Sequence, residues 1–198
     1  MAQLIISFLV LMNPFALFVY LLPLKRELGL SSFIQILLRA SLISFIIYVL
    51  FALFGQQIFS TLLKIDFDSF RIFGGIVVAS FALSFILQGK KSLITTRGEL
   101  SSIAAEVALP FMVGAATITL SILIGRSLSV INAIATIGAA MSINAIIIVL
   151  LALFRQTLKN RMLEVFDKNM DIVLRVNGFF VGAIGVDLII TGIRGLTG

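Results

Sequence analysis

The sequence predicts an all-α integral membrane protein with six transmembrane helices, arranged as two inverted repeats of three helices each. Three observations predict this class. The 198-residue chain is 60% hydrophobic and only 12% charged, whereas a soluble domain is typically about half apolar and a quarter charged. Its apolar residues fall into six stretches, most of them about as long as the 20 residues that a helix needs to cross a bilayer. Parts of the first three stretches recur in the last three.

Polar connectors separate the six stretches, and the longest are GKKSLITTRGELSS and RQTLKNRMLEVFDKNMD. None is long enough to form a domain, so we expect a single transmembrane domain over residues 1–198. The stretches run at about Leu4–Leu24, Phe33–Phe54, Phe70–Gln88, Ile103–Gly125, Leu128–Phe154 and Ile172–Ile193.

The repeat is carried by two matches. Arg71 and Gly74 match Arg175 and Gly178 at an offset of 104 positions, and VLFALF at 49–54 matches VLLALF at 149–154 at an offset of 100. Apolar helices resemble one another by composition alone, but the agreement of the two offsets favours a duplication. Because each unit has an odd number of spans, the repeats, about 1–100 and 101–198, must enter the membrane in opposite senses.

The repeated arginine and glycines predict helix packing. At the head of a span an arginine reaches the interface while its stem covers apolar surface, and glycines behind it let a neighbouring helix approach closely. The predicted packing residues are Arg71, Gly74, Gly75, Arg175, Gly178, Gly182 and Gly185.

The basic residues predict the orientation. Eleven of the 15 Lys and Arg residues lie in or beside the first, third and fifth connectors, which places those connectors in the cytoplasm and both termini outside it. The first basic residue, Lys25, follows the first apolar stretch, whereas a cleavable signal peptide begins with a basic region. We therefore expect a retained first span.

The composition also excludes several functions. The chain has no histidine and no cysteine, so the commonest metal ligands and general bases are missing. Only one acid lies well inside a span, whereas an intramembrane aspartyl protease needs two carboxylates at one site. The net charge of +6 fits cytoplasmic loops better than a nucleic-acid surface. We expect no enzymatic activity, no cofactor or metal, and no nucleic-acid partner.

A proline in the first span suggests a binding site. Asn13 and Pro14 lie about ten residues into that span, where a proline frees a backbone carbonyl that nearby polar groups must satisfy. In inverted-repeat transporters such broken helices face the substrate; a simple kink is the alternative. At an offset of 101 the two residues correspond to Gly114 and Ala115. The predicted second half of the site consists of Gly114, Ala115, Thr117 and Thr119.

Two further spans carry polar residues. Asp187 is the acid inside the sixth span, on the helix face opposite Gly185; it is a candidate for proton coupling, for pairing with an arginine, or for hydration near the interface. Asn132, Thr136, Ala140 and Asn144 recur at four-residue intervals in the fifth span. This lane either lines a polar path, with Asn132 and Asn144 binding substrate, or forms hydrogen bonds between helices.

Three segments carry a family resemblance: IDFDSFRIFGGIVVASFALSFILQGKK, EVALPFMVGAATITLSILIG and LRVNGFFVGAIGVDLIITGI. They resemble the MarC family of six-span membrane proteins, which includes proteins described as small neutral amino acid transporters. Asn13 and Pro14 are retained, but Ala16 and Val19 stand where that family usually has Gly and Pro, and Ala115 and Ala116 stand within its Gly-Pro-Gly motif.

The resemblance implies a secondary transporter or exporter of a small neutral solute, such as a neutral amino acid, in the plasma (inner) membrane. We expect alternating access between the repeats, a proton as the candidate coupling ion, and the lipid bilayer and a second copy of the chain as partners. The changed motifs leave one alternative, a membrane scaffold or assembly protein that does not transport.

Overall fold

The computed structural model of the protein describes residues 1–88 and 112–197. All regular structure in these ranges is helical. The elements are α1 (Ala2–Met12), α2 (Pro14–Gln57), a π-helical segment (Ile58–Leu63), α3 (Phe67–Gln88), α4 (Ala115–Ser127), α5 (Val130–Thr157) and α6 (Asn160–Thr197). The third connector and the predicted start of the fourth span near Ile103 lie outside the described residues.

Helix α2 contains a sharp break that divides it into two predicted spans. Gly29 has φ 79° and ψ 174°, a conformation that a residue with a Cβ rarely adopts. Residues 14–28 therefore continue the first span begun by α1, and residues 30–57 form the second span. This glycine lies between the two apolar runs that the sequence separates as Leu4–Leu24 and Phe33–Phe54.

The helices confirm a multi-pass membrane protein. Within the described part of the chain, five helical segments are long and apolar enough to cross a membrane: Ala2–Val19, Leu28–Leu63, Phe67–Gln88, Val130–Thr157 and Asn160–Thr197. Helix α4 is a shorter apolar helix of 13 residues. It covers the second half of the predicted fourth span.

The helices on either side of the fifth connector extend well beyond their apolar stretches. Helix α5 continues to Thr157 and α6 begins at Asn160, which makes most of RQTLKNRMLEVFDKNMD helical. Arg155 on α5 donates two hydrogen bonds of 2.8 Å to the carboxylate of Asp167 on α6. The polarity of this segment therefore marks the end of the apolar layer and not the end of a helix.

The core has two parts. One cluster of buried side chains joins α2 to the C-terminal part of α5 and includes Leu17, Phe33, Leu37, Ile148 and Ala152. The other joins α1, α2, α4 and α5 and includes Phe8, Met12, Tyr48, Ile124 and Ile137. Helix α3 packs mainly against α6, and this pair lies beside the other four helices.

Glycines set the α3–α6 contact. A Cβ added at Gly75 would lie 2.5 Å from the carbonyl oxygen of Gly185, and one added at Gly178 would lie 3.2 Å from that of Ala82. Closer to the ends of the two helices, a Cβ at Gly192 would lie 2.8 Å from the carbonyl oxygen of Asp68. As the residue number rises along α3 it falls along α6, so the two helices are antiparallel, with their backbones in direct contact.

Candidate binding site between two helix breaks

The first break lies between α1 and α2. Asn13 adopts the left-handed conformation, with φ 50° and ψ 75°, and Pro14 is the first residue of α2. Asparagine tolerates this conformation better than most residues. Its side-chain Oδ1 accepts a hydrogen bond of 3.0 Å from the backbone N–H of Ala16, which caps α2. Because Pro14 has no N–H, the carbonyl of Val10 loses its helical donor.

The second break lies before α4. Gly114 is extended, with φ −109° and ψ 168°, and α4 begins at Ala115. The N–H of Gly114 donates to the hydroxyl oxygen of Thr117 at 2.9 Å. That hydroxyl also lies 3.1 Å from the carbonyl oxygen of Met112. No side chain caps the start of α4, so the N–H groups of its first turn have no partner within the helix.

A buried tyrosine connects this second break to the first half of the chain. The Tyr48 hydroxyl donates a hydrogen bond to the carbonyl oxygen of Met112, and the Ser44 hydroxyl lies 3.4 Å from the Met112 sulfur. The Tyr48 ring also packs edge-on against Phe8 of α1, with centroids 4.9 Å apart. The chain before α4 is therefore positioned by α2.

The two breaks line one cavity of about 100 Å³. Most of its wall is apolar, and the polar groups come from the breaks themselves. The lining residues are Leu11, Met12, Asn13, Ala16, Leu17, Val77, Val78, Phe81, Phe85, Met112, Gly114, Ala115, Ala116, Thr117 and Val181.

The cavity has unused hydrogen-bonding capacity. Asn13 is 4% exposed, and its Nδ2 is buried with no hydrogen-bond partner among the described residues. The uncapped N–H groups of α4 are at one side of the same cavity, and the carbonyl end of α1 is at another. Helix N-termini carry partial positive charge and C-termini partial negative charge, so the cavity offers both polarities.

The structure brings four of the predicted substrate-binding residues to this cavity: Asn13, Gly114, Ala115 and Thr117. The other predicted residues lie elsewhere. Pro14 is buried beside the cavity without lining it, and Thr119 is buried in α4 with its hydroxyl unpartnered within the described chain.

The polar lane of α5 does not line the cavity. Asn144 is fully buried, and neither its Oδ1 nor its Nδ2 has a hydrogen-bond partner in the described ranges. Thr136 and Ala140 are also buried, whereas Asn132 is exposed near the start of α5. Thr136, Ala140 and Asn144 therefore face protein, and Asn132 does not.

Asp187 lies on the exposed surface of α6, on the face opposite the buried Gly185 that contacts α3. It does not line the cavity. With respect to the described residues, its carboxyl group is therefore on the exterior of the bundle.

The predicted packing residues lie along α3 and α6. Gly74 faces the second break, since a Cβ added there would lie 2.6 Å from the Cβ of Ala115. The two arginines are at opposite ends of the pair. Arg71 forms an ion pair of 2.9 Å with Asp68, and Arg175 forms one of 3.2 Å with Asp171 and donates to the carbonyl of Ile86 at 2.7 Å.

Sequence reasoning missed the apolar wall and its support. Val77, Val78 and Phe81 of α3 and Val181 of α6 line the cavity, yet in the sequence they resemble every other apolar residue of their spans. Tyr48 was not among the predicted site residues, although it is fully buried and bonds the chain before α4. A lone tyrosine in the middle of an apolar span is the one signal that predicts a buried hydrogen bond there, because a phenol in hydrocarbon needs a partner.

A bundle of apolar helices with a cavity between two helix breaks is typical of multi-pass integral membrane proteins that contain a small internal site. The chain belongs to the MarC family: the sequence profile described as "MarC family integral membrane protein" matches residues 1–197. The resemblance of the three segments quoted above is thereby confirmed.

Similar proteins are named as membrane proteins. The chain is 27% identical to the UPF0056 membrane protein PH0214 of Pyrococcus horikoshii, over 95% of this chain and 90% of that protein. It is 28% identical to the UPF0056 membrane protein MJ0972 of Methanocaldococcus jannaschii, over 96% and 85%. It is 30% identical to the UPF0056 membrane protein YhcE of Escherichia coli, over 68% and 65%. No solved structure matches the chain.

Proposed function

We propose that the protein is a secondary transporter of a small zwitterionic solute, such as a neutral amino acid, across the plasma membrane. The observation that carries this proposal is the meeting of two helix ends of opposite polarity at one buried cavity. The carbonyl end of α1 and the N–H end of α4 both border it. In transporters built from inverted repeats, half-helix ends of this kind bind the charged groups of the substrate.

The polar groups of the cavity fit a carboxylate and an ammonium group. The first-turn N–H groups of α4 and the free Nδ2 of Asn13 are donors for a carboxylate. The last carbonyls of α1 have no donor within the helix, and those of Leu11 and Met12, which line the cavity, are acceptors for an ammonium group. Val77, Val78 and Phe81 provide an apolar wall for a short aliphatic side chain.

The volume limits the size of the solute. A site for a drug-sized ligand occupies about 300–1,000 Å³, whereas this cavity has about 100 Å³. A solute with a few non-hydrogen atoms is therefore favoured over a large or aromatic one. The mostly apolar wall also makes a net charge on the solute unfavourable, because the helix ends carry only about half a unit charge each.

Alternating access requires two halves related by a two-fold axis in the membrane plane, and the register of α3 and α6 supports this arrangement. With Gly75 opposite Gly185 and Ala82 opposite Gly178, Val78 is level with Gly182. These two residues are 104 positions apart, the offset of the sequence repeat. If the two-fold axis passes through the crossing of α3 and α6, the two residues that meet at the crossing must be equivalent positions of the two repeats. The first residues of α2 and α4, Pro14 and Ala115, are likewise 101 positions apart.

The proposal retains Asp187 as the candidate for proton coupling, because it is the acid inside a span. Its exposure on α6 favours a position against a second copy of the chain, since a carboxylate near the bilayer centre costs about 2.5–3.5 kcal/mol when it faces lipid. If Asp187 couples transport to protons, Asp187→Asn should abolish stimulation of uptake by a pH gradient and leave counterflow without a gradient intact.

The transport proposal is tested by counterflow of radiolabelled glycine and alanine in proteoliposomes loaded with the unlabelled amino acid. We expect saturable counterflow with the wild-type protein and none with Gly114→Leu. A Cβ at Gly114 meets no atom within 4 Å, so the backbone there accepts a side chain, and that of leucine should occupy part of the cavity. Gly138→Ala is the control, because a Cβ there meets only Phe45 at 3.5 Å.

Circular dichroism on each reconstituted sample establishes that the protein is helical. Folded wild-type protein that exchanges no zwitterionic amino acid from a broad panel would overturn the proposal and favour the scaffold. Equal counterflow by the wild-type protein and Gly114→Leu would show that the solute does not bind in this cavity.

A further inference from the structure

A second recess lies at one end of the bundle, separate from the central cavity. It is open and has a volume of about 630 Å³. It lies where α2 passes into the π-helical segment, where α3 begins and where α4 ends. The lining residues are Gln56, Phe59, Ser60, Lys64, Ile65, Asp66, Phe67, Asp68, Arg71 and Arg126.

With the crossing of α3 and α6 taken as the middle of the bilayer, the recess is placed at the level of the lipid head groups. Val78, opposite Gly182 at the crossing of α3 and α6, is near the middle of α3, and Phe67 at the start of α3 is 11 residues away. At about 1.5 Å per residue this is about 16 Å. Half of the hydrocarbon core is about 15 Å, so the residues around Phe67 meet the phosphate layer.

The recess carries three cations and two acids, and the acids are engaged. Asp68 accepts a hydrogen bond from Arg71 at 2.9 Å. Asp66 uses Oδ1 to accept the backbone N–H of Asp68 at 3.0 Å, as the residue preceding α3 does when it caps a helix. Lys64 forms no ion pair within the described ranges.

Arg126 is positioned but not neutralised. Its Nε donates to the neutral side chain of Gln56 at 3.0 Å, and its guanidinium lies 5.5 Å from the centre of the Phe67 ring. Arg71 lies 5.7 Å from the same ring. Stacking on an aromatic ring fixes the plane of a guanidinium. The terminal nitrogens of Arg126 make no hydrogen bond with any described residue, so they remain available to a ligand.

We propose that this recess binds a phosphate-type oxyanion through Arg126 and Lys64. A planar guanidinium binds two oxygens of a phosphate in parallel, and an ammonium adds a point charge. The N-terminal end of α3 carries partial positive charge and also attracts an oxyanion. The oxyanion is either the phosphodiester of an anionic lipid or a phosphate free in solution. Neither source depends on the transport proposal, because the recess shares no residue with the central cavity.

Two assays separate the two sources, each on the intact protein in detergent. Native mass spectrometry after incubation with mixed micelles of phosphatidylglycerol and phosphatidylcholine measures lipid adducts. Isothermal titration with inorganic phosphate measures the free anion. We expect the doubly substituted Arg126→Gln/Lys64→Gln to reduce oxyanion binding by about five-fold or more, because two charge-assisted contacts are lost. Arg194→Gln removes an exposed cation that does not line the recess and should change nothing.

Asp66→Asn is the sharper variant, because it keeps Oδ1 as a helix cap while removing the opposing charge. It should strengthen oxyanion binding by about two- to five-fold, the range of a partly exposed charge pair. Selective retention of phosphatidylglycerol identifies a lipid site, and binding of inorganic phosphate identifies a soluble-anion site. Unchanged binding in both Arg126→Gln/Lys64→Gln and Asp66→Asn would overturn the proposal, as would an equal loss in Arg194→Gln.

Discussion

The two helix breaks that border the cavity are stabilised in different ways. The first is local: Pro14 begins the new helix and Asn13 caps it through the N–H of Ala16, three residues away. The second depends on a distant part of the chain, because the carbonyl of Met112 accepts its hydrogen bond from Tyr48, 64 residues earlier in the sequence. A break that is stabilised locally can be recognised in the sequence, whereas one that is stabilised by tertiary contacts cannot.

The largest effect is expected at the first break. Asn13→Leu should lower the free energy of unfolding by about 1.5–4 kcal/mol, because a branched side chain in the left-handed conformation costs about 1–2 kcal/mol and the lost cap costs about 0.5–2 kcal/mol. Asn13→Gly should cost less than about 1 kcal/mol, since glycine adopts positive φ without strain. Unfolding in SDS followed by circular dichroism measures both. Equal losses would mean that the left-handed conformation at Asn13 does not constrain the break.

The same pair separates stability from transport. Both variants lack the Nδ2 donor, so both should lose amino acid counterflow although only Asn13→Leu is strongly destabilised. Counterflow retained by Asn13→Gly would show that the side chain acts as a cap alone.

The second break should respond to a substitution far away in the sequence. Tyr48→Phe leaves the ring against Phe8 and removes the hydroxyl that bonds the Met112 carbonyl. The Thr117 hydroxyl still lies 3.1 Å from the same carbonyl oxygen, so the cost should be that of one lost buried hydrogen bond, about 1.5 kcal/mol. An unchanged unfolding curve for Tyr48→Phe would contradict the tertiary account of this break.

A smaller effect is expected at Thr117, which supports the second break from within α4. Thr117→Val keeps the shape but removes the acceptor for the Gly114 N–H, at a cost of about 1 kcal/mol. Thr117→Ser retains the hydroxyl and should retain most of the stability. The difference between Val and Ser in the SDS titration measures this hydrogen bond, and no difference would mean that water satisfies the Gly114 N–H.

The smallest effect is expected for Gly114→Ala. Gly114 has negative φ and extended ψ, which any residue adopts, and an added Cβ meets no atom within 4 Å. The change in unfolding free energy should stay within about 0.5 kcal/mol. A larger loss would indicate that α4 needs a different conformation at Gly114 from the one described.

Much of the site was predictable where the chemistry is local. Asn13 and Pro14 were identified because a proline inside a span removes a helical N–H, and the sequence offset then led to Gly114, Ala115 and Thr117. Thr119 and Asn132 were included by the same reasoning from spacing, but the structure places them away from the cavity. Spacing along a helix predicts on which side of the helix a residue lies. It does not predict which other helix packs against that side.

The helix ends illustrate the same limit. The run from Arg155 to Asp171 is polar and was predicted as a connector, yet Asn160 already begins α6. The hydrophobicity of a segment indicates whether lipid or water surrounds it. Helix formation depends instead on backbone hydrogen bonds and on side-chain pairs such as Arg155 with Asp167. The pattern of apolar and polar residues therefore did not predict where these two helices end.

The sequence by itself determined that this protein is a helical membrane protein, and it determined the break at Asn13. Both follow from the residues alone, since sixty per cent apolar composition requires lipid and a proline cannot donate a backbone hydrogen bond. Only the tertiary structure decided that α3 and α6 touch at Gly75 and Gly185, that Tyr48 holds the second break, and that both breaks enclose one cavity. Those features depend on which helix faces lie against each other, and in lipid nearly every apolar face is chemically alike.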